Sequence, residues 1–173
     1  MKNTEEQIAN EFVKNAIYRI EVNSRMIKKS LEKLSEEDLW KKPNGVSNSV
    51  GNLLLHLSGN IKQYAIASLT GEEDLRERDK EFSTEYGPGK EKLANEFFQV
   101  LDKAKNVIEN ISHENLLKIR EVQAYTLSGI GIIMHVVEHL SYHTGQIAFW
   151  TKILTNNSLG FYDGIDLNLK NKN

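Results

Sequence analysis

With 173 residues, a net charge of −2 and no cysteine, the chain has the length of one domain and excludes disulfides, thiolate metal sites and cysteine nucleophiles. Lys and Glu are interspersed along it, so no basic face is offered to a phosphate backbone and nucleic acid is not an expected partner. The start, from Met1 to Gln7, lacks the apolar core of a signal peptide, and no apolar run approaches the roughly 20 residues that span a bilayer. The expectation is a cytoplasmic protein with no membrane partner.

From about residue 4 to residue 34, Ile8, Phe12, Ala16, Ile20, Ile27, Leu31 and Leu34 recur at helical spacing and predict a long first helix. Ser35 to Trp40 reads as a short capped turn, and Pro43, Asn44 and Gly45 break the chain. A second long helix is expected from Ser47 or Ser49 to Leu69, stopped by Thr70 and Gly71; it carries Leu53, His56, Leu57, Ile61 and Tyr64. Between residues 71 and 90 the pattern is lost, and the charged stretch 72–82 is expected to run over the surface. A third helix follows over about 90–110, then a short mixed stretch with room for extended backbone at 122–126. The last long helix is expected over about 127–154. Four long amphipathic helices with hardly any strand signal predict an all-α four-helix bundle over residues 1–155 with short extra helical turns, and residues 156–173 as a surface tail.

The last helix holds the most informative spacing. His135, His139 and His143 recur at i, i+4, i+8, each displaced about 40° from the last by the helical period. His143 falls at the edge of the apolar stripe, His139 on its border and His135 furthest towards the polar side. Two imidazoles one turn apart can chelate one divalent ion from a single helix, and the third ligand must come from elsewhere. His56, near the middle of the second helix, reaches the same level of a bundle. Alone it would read as a packed core histidine; with the pair it completes a set of three neutral imidazoles with an open fourth position, the makings of a catalytic site. Gly59 and Asn60 leave space and polarity beside it.

Two other motifs compete for the same residues. His135, Glu138 and His139 fit H-x-x-E-H of the inverted zinc peptidases, but that site needs a later acidic ligand, and no Glu follows Glu138. Di-iron bundles use Glu-x-x-His pairs on two helices, a spacing absent here.

Three segments, Ser49 to Asn60, Arg76 to Phe82 and His135 to Ile147, together resemble the DinB-like superfamily, and within it a small bacterial branch of DinB-related proteins. The resemblance runs over essentially the whole chain. It implies an up-down-down-up bundle, a divalent ion, commonly zinc or nickel, on His56, His139 and His143, and a homodimer. His135 matches a family position that is often His but lies outside the triad. Some relatives resemble metal-dependent transferases that activate a low-molecular-weight thiol such as bacillithiol, mycothiol or glutathione for attack on a small electrophilic substrate. A metal-dependent hydrolase and a non-catalytic, metal-braced stress-response bundle are the alternatives.

Around the triad the reading stays open. Gln146 either bonds a ligand imidazole or substrate, or makes a helix-surface contact. Asn60 and Tyr64, one and two turns beyond His56, either line a pocket or pack. Arg76, Arg78 and Asp79 either fold over the site or form structural ion pairs. Trp40, Phe149 and Trp150 are assigned to core or dimer contacts, and His113 to a helix end.

Overall fold

The computed structural model describes residues 3–172. Helix α1 (Thr4–Leu31) buries Ala16, Ile20, Ile27 and Leu31, and its Glu5 and Glu6 at one end and Lys28 and Lys29 at the other complement the helix dipole. It stops short of Leu34, which is buried all the same. In α2 (Glu36–Trp40) the side chain of Ser35 accepts from Asp38 N and the Asp38 carboxylate accepts from Ser35 N, a reciprocal cap. Helix α3 (Val50–Ile61) opens on the same device, built from Ser49 and Asn52. Its continuation is π-helical over Lys62–Ala67, followed by an α-helical turn, Ser68–Thr70, that ends at Gly71 in the left-handed region, φ +83°.

The charged stretch then forms a strap without regular structure over residues 72–77 and a short helix, α4 (Arg78–Ser83). Most of it lies on the surface as expected, but the Arg76 side chain and Glu81 are buried. Helix α5 (Lys90–Glu109) buries Leu93, Phe97, Leu101, Ala104 and Ile108 on one face. A turn of helix, α6 (His113–Leu117), leads into strands β1 (Ile119–Val122) and β2 (Tyr125–Ser128), an antiparallel hairpin with Val122 opposite Tyr125. The expected extended stretch is therefore a hairpin, and the last helix, α7 (Gly129–Thr155), starts after it with Ser128 as its cap. A Cβ on Gly129 would come to 2.2 Å from Asn115 O, so a glycine has to open α7 for α6 to lie against it.

The long helices form a closed ring, α1 on α5 and α7, and α3 on the same two. Side-chain links give the directions. Lys29 reaches Gly160 O, placing the C-terminal ends of α1 and α7 together. Lys90 Nζ donates to Leu34 O at 2.6 Å while Lys105 pairs with Glu21, so α5 runs against α1. Trp40 lies against both Gly51 and Gly87, and Lys103 meets Glu72, so α3 and α5 run the same way. The order is up-down-down-up. Ile20, Ile27, Leu54, Leu57, Phe97 and Leu140 are fully buried in the centre, each stabilising by roughly 1.5–3 kcal/mol relative to exposure. Leu159 is buried beyond α7, and residues 162–172 are exposed. No helix among the described residues is long and apolar enough to cross a membrane.

Candidate metal centre

Helices α3 and α7 are antiparallel and share a ladder of polar rungs. One rung is His56 with His139, whose Nε2 atoms lie 2.9 Å apart; the next is Asn60 with His135, Nδ2 to Nε2 at 3.3 Å. His143 is one turn further along α7, its ring edge-on to both His56 and His139 at centroid distances of 5.0 and 4.5 Å. Candidate ligand atoms of His56, His139 and His143 lie within 4.8 Å of one another, and no fourth residue joins the cluster among the described residues.

Hydrogen bonds at the far side of two rings decide which nitrogen is free. His56 Nδ1 lies 2.9 Å from Glu81 Oε2; a carboxylate only accepts, so the proton sits on Nδ1 and Nε2 carries the lone pair. His143 Nδ1 donates to Gln146 Oε1 at 2.6 Å, with the same consequence for its Nε2. With its proton on Nδ1, His56 accepts at Nε2, so His139 donates from its own Nε2 across the 2.9 Å between them. An ion held by both Nε2 atoms would take the place of the proton between them and would supply Lewis acidity there. The donor set suits a divalent ion of the zinc class.

Electrostatics favour the neutral form of the three imidazoles on α7. Burial, then the neighbouring His143, His56 and His135, push His139 down to about 3. Burial also pushes His143 down, against an opposing hydrogen bond to Gln146. Burial pushes His135 down too, opposed by Glu138 and assisted by Arg76. A cluster that resists protonation keeps its lone pairs for a metal.

Behind His56 stands the residue the sequence did not single out. Glu81 on α4 is buried, and Arg76 grips it twice, Nε to Oε1 at 2.8 Å and Nη2 to Oε2 at 2.9 Å. Burial pushes the Glu81 carboxyl up, but the hydrogen bonds from Arg76 and His56 outweigh it and hold it below the usual value. Arg76 Nη2 also comes within 3.2 Å of His56 Nδ1, but that nitrogen already carries a proton and offers it no acceptor. Nη1 donates to Gln63 Oε1 at 2.9 Å. The space left by Gly59 is filled by this carboxylate. With 24 acidic residues in the chain, nothing in the local pattern marked Glu81 out.

The other candidates divide. Tyr64 packs: its ring stacks on His135 at 4.0 Å and its hydroxyl donates to Gln123 Oε1 at 2.8 Å, from a turn where Gln123 has φ +54°. Asn60 is buried on the inner face, and its Oδ1 has no hydrogen-bond partner among the described residues. Arg76 makes a structural ion pair, while Arg78 and Asp79 are exposed and Arg78 lies over the Phe82 ring. Trp40 and Trp150 are half-buried, with Trp150 Nε1 donating to Lys41 O at 3.0 Å; Phe149 is exposed, and so is His113 at the start of α6. A cavity of about 720 Å³ opens beyond the Glu81–Arg76 pair between α3, the strap and α5, and none of the three histidines lines it.

A family model described as a protein of unknown function, DUF1572, matches residues 7–162. The chain belongs to the DUF1572 family. Among solved structures, a DinB-like protein of Bacillus subtilis, YjoA, superposes with a TM-score of 0.65 at 16% identity, covering 83% of this chain and 94% of its own. A conserved protein of Enterococcus faecalis gives 0.64 at 15% identity, covering 91% of this chain and 99% of its own. No curated protein matches. This DUF1572 member thus has the DinB-like fold, all-α, and within it three histidines placed closely enough to hold a metal ion.

Proposed function

We propose that this DUF1572 protein is a metal-dependent transferase that uses a low-molecular-weight thiol, with His56, His139 and His143 as ligands of a zinc or nickel ion. The observation that carries this reading is the convergence of three imidazoles with no fourth protein donor among the described residues, which leaves a coordination position for an exchangeable group. A divalent ion there supplies Lewis acidity, lowering the pKa of a thiol so that thiolate is available near neutral pH. The chain's own residues do the rest. Glu81 and Gln146 hold the protons of His56 and His143 on Nδ1, so both rings present Nε2. His135, stacked between Tyr64 and His139, walls the inner side of the site.

In the transfer itself the thiol sulfur forms a bond to the electrophilic carbon, the leaving group departs with its electron pair, and the thiol proton passes to solvent. Hydrolysis of a small substrate at the same open position is the second reading, favoured by the same absence of a fourth ligand. A homodimer accompanies the proposal on the family resemblance, and a cytoplasmic location on the sequence reading.

The test is metal content per chain, by mass spectrometry of untagged protein purified at neutral pH, for wild type and for His56→Ala, His135→Ala and His143→Ala. About one ion is expected in wild type and in His135→Ala, and none in the other two. Conjugation of bacillithiol, mycothiol or glutathione to a chloro-substituted electrophile is then measured on the loaded protein. Wild type that stays empty when zinc and nickel are supplied overturns the metal reading; loaded protein that conjugates none of the thiols overturns the transferase.

A further inference from the structure

We propose that Glu81 is a positioning residue that sets how tightly the three-histidine centre holds its ion, through the orientation and donor strength of His56. The proposal rests on the metal reading above. Glu81 cannot itself be a ligand in this arrangement: its Oε2 meets His56 at Nδ1, on the far side of the ring from the Nε2 that faces His139. A carboxylate there fixes the tautomer, locks the ring and passes electron density towards the metal-facing nitrogen.

The fold commits several otherwise unrelated residues to this one side chain. Arg76 occupies both carboxylate oxygens and offsets the buried charge. Asn52, already capping α3, turns its Nδ2 to Glu81 O at 3.0 Å and Thr84 O at 2.7 Å, which ties α4 down from behind. Gly59 has no side chain where the carboxylate lies, since a Cβ there would fall 1.9 Å from Glu81 Oε1. A surface ion pair needs none of these provisions.

The three ligands are also unequal. His56 has a charged, buried partner; His143 has the neutral amide of Gln146, an exposed residue; His139 bonds through Nε2 to His56 itself. The ion's affinity is accordingly most sensitive to Glu81.

The experiment is a zinc dissociation constant, by competition with a chromophoric chelator, for wild type, Glu81→Gln, Gly59→Ala, Gln146→Ala and Glu77→Gln. Glu81→Gln is expected to weaken zinc by about 10–100-fold, as loss of an outer carboxylate does elsewhere. Gly59→Ala, which leaves Glu81 chemically intact but displaces it, weakens zinc in the same direction. Gln146→Ala has the smaller effect, and Glu77→Gln, on the same strap but paired outward with Lys80, has none.

Two further readouts separate positioning from general damage. The absorption bands of the cobalt-loaded protein shift in Glu81→Gln and not in Glu77→Gln. In wild type, nitrogen NMR shows His56 protonated at Nδ1 both before and after zinc is added, so the claim is tested even if a variant does not fold. Zinc affinity in Glu81→Gln equal to wild type, or a His56 proton found on Nε2, overturns this proposal alone. Wild type that binds no zinc overturns the metal reading and this proposal with it.

Discussion

His139 shows how far the fold moves a single side chain from its behaviour in water. Burial and three neighbouring histidines lower it from 6.5 to about 3, and His135 and His143 move the same way. A group whose folded pKa is depressed contributes stability that is present above its unfolded pKa and lost as pH falls through the folded one. For His139 the window runs from about 6.5 down to about 3. The melting temperature of the metal-free protein is expected to be flat above pH 7 and to fall below 6.5, and His139→Gln is expected to fall less steeply. Parallel curves for the two proteins, by circular dichroism at matched ionic strength, would contradict the assignment. Glu81 has the depressed carboxylate behaviour and loses its contribution at the acid end of the same titration, so only the difference between the two proteins isolates His139.

At the scale of elements, the caps were legible and the irregularities were not. Ser35 and Ser49 both cap their helices as expected, and each adds a reciprocal bond from a partner three residues on, Asp38 and Asn52. Ser49→Ala is expected to cost about 1 kcal/mol in urea unfolding with unchanged slope. Asn52→Ala is expected to cost more, because it also strands Glu81 O and Thr84 O, two carbonyls that no cap calculation includes. Equal losses in the two variants would mean that Asn52 acts only as a cap. The π-helical stretch Lys62–Ala67 had no such signal, and the hairpin after α6 showed only as room for extended backbone at 122–126. A π-turn differs from an α-turn by one residue of register, which local propensity does not encode. Strands of four residues are too short for alternation to stand out.

For the whole molecule, the centre joins α3 to α7 near the middle of the bundle, so an ion bound there stabilises the fold as a unit. Zinc at about 100 times its dissociation constant is expected to add about 2.7 kcal/mol to unfolding, and a chelator to remove it. The gain should vanish in His56→Ala and persist in His135→Ala, read as thermal midpoints with and without zinc. Persistence of the gain in His56→Ala would place the ion elsewhere.

Apolar spacing by itself determined the four long helices, and the i, i+4 histidines on α7 with His56 on α3 were sufficient to nominate three candidate ligands. Those features are periodic, and a helix converts periodicity into a face without help from the rest of the chain. Direction and second neighbours were decided only in three dimensions. Glu81 lies 25 residues from His56 in sequence and reaches it because Asn52, Gly59 and Arg76 together draw a charged strap inward. Tyr64 could have packed or lined a pocket, and Gln146 could have bonded an imidazole or made a helix-surface contact; the bond to His143 and the stack on His135 exist only in three dimensions. Such contacts depend on how helices meet, and a buried charge is tolerable only where its partners converge, a condition that no single segment contains.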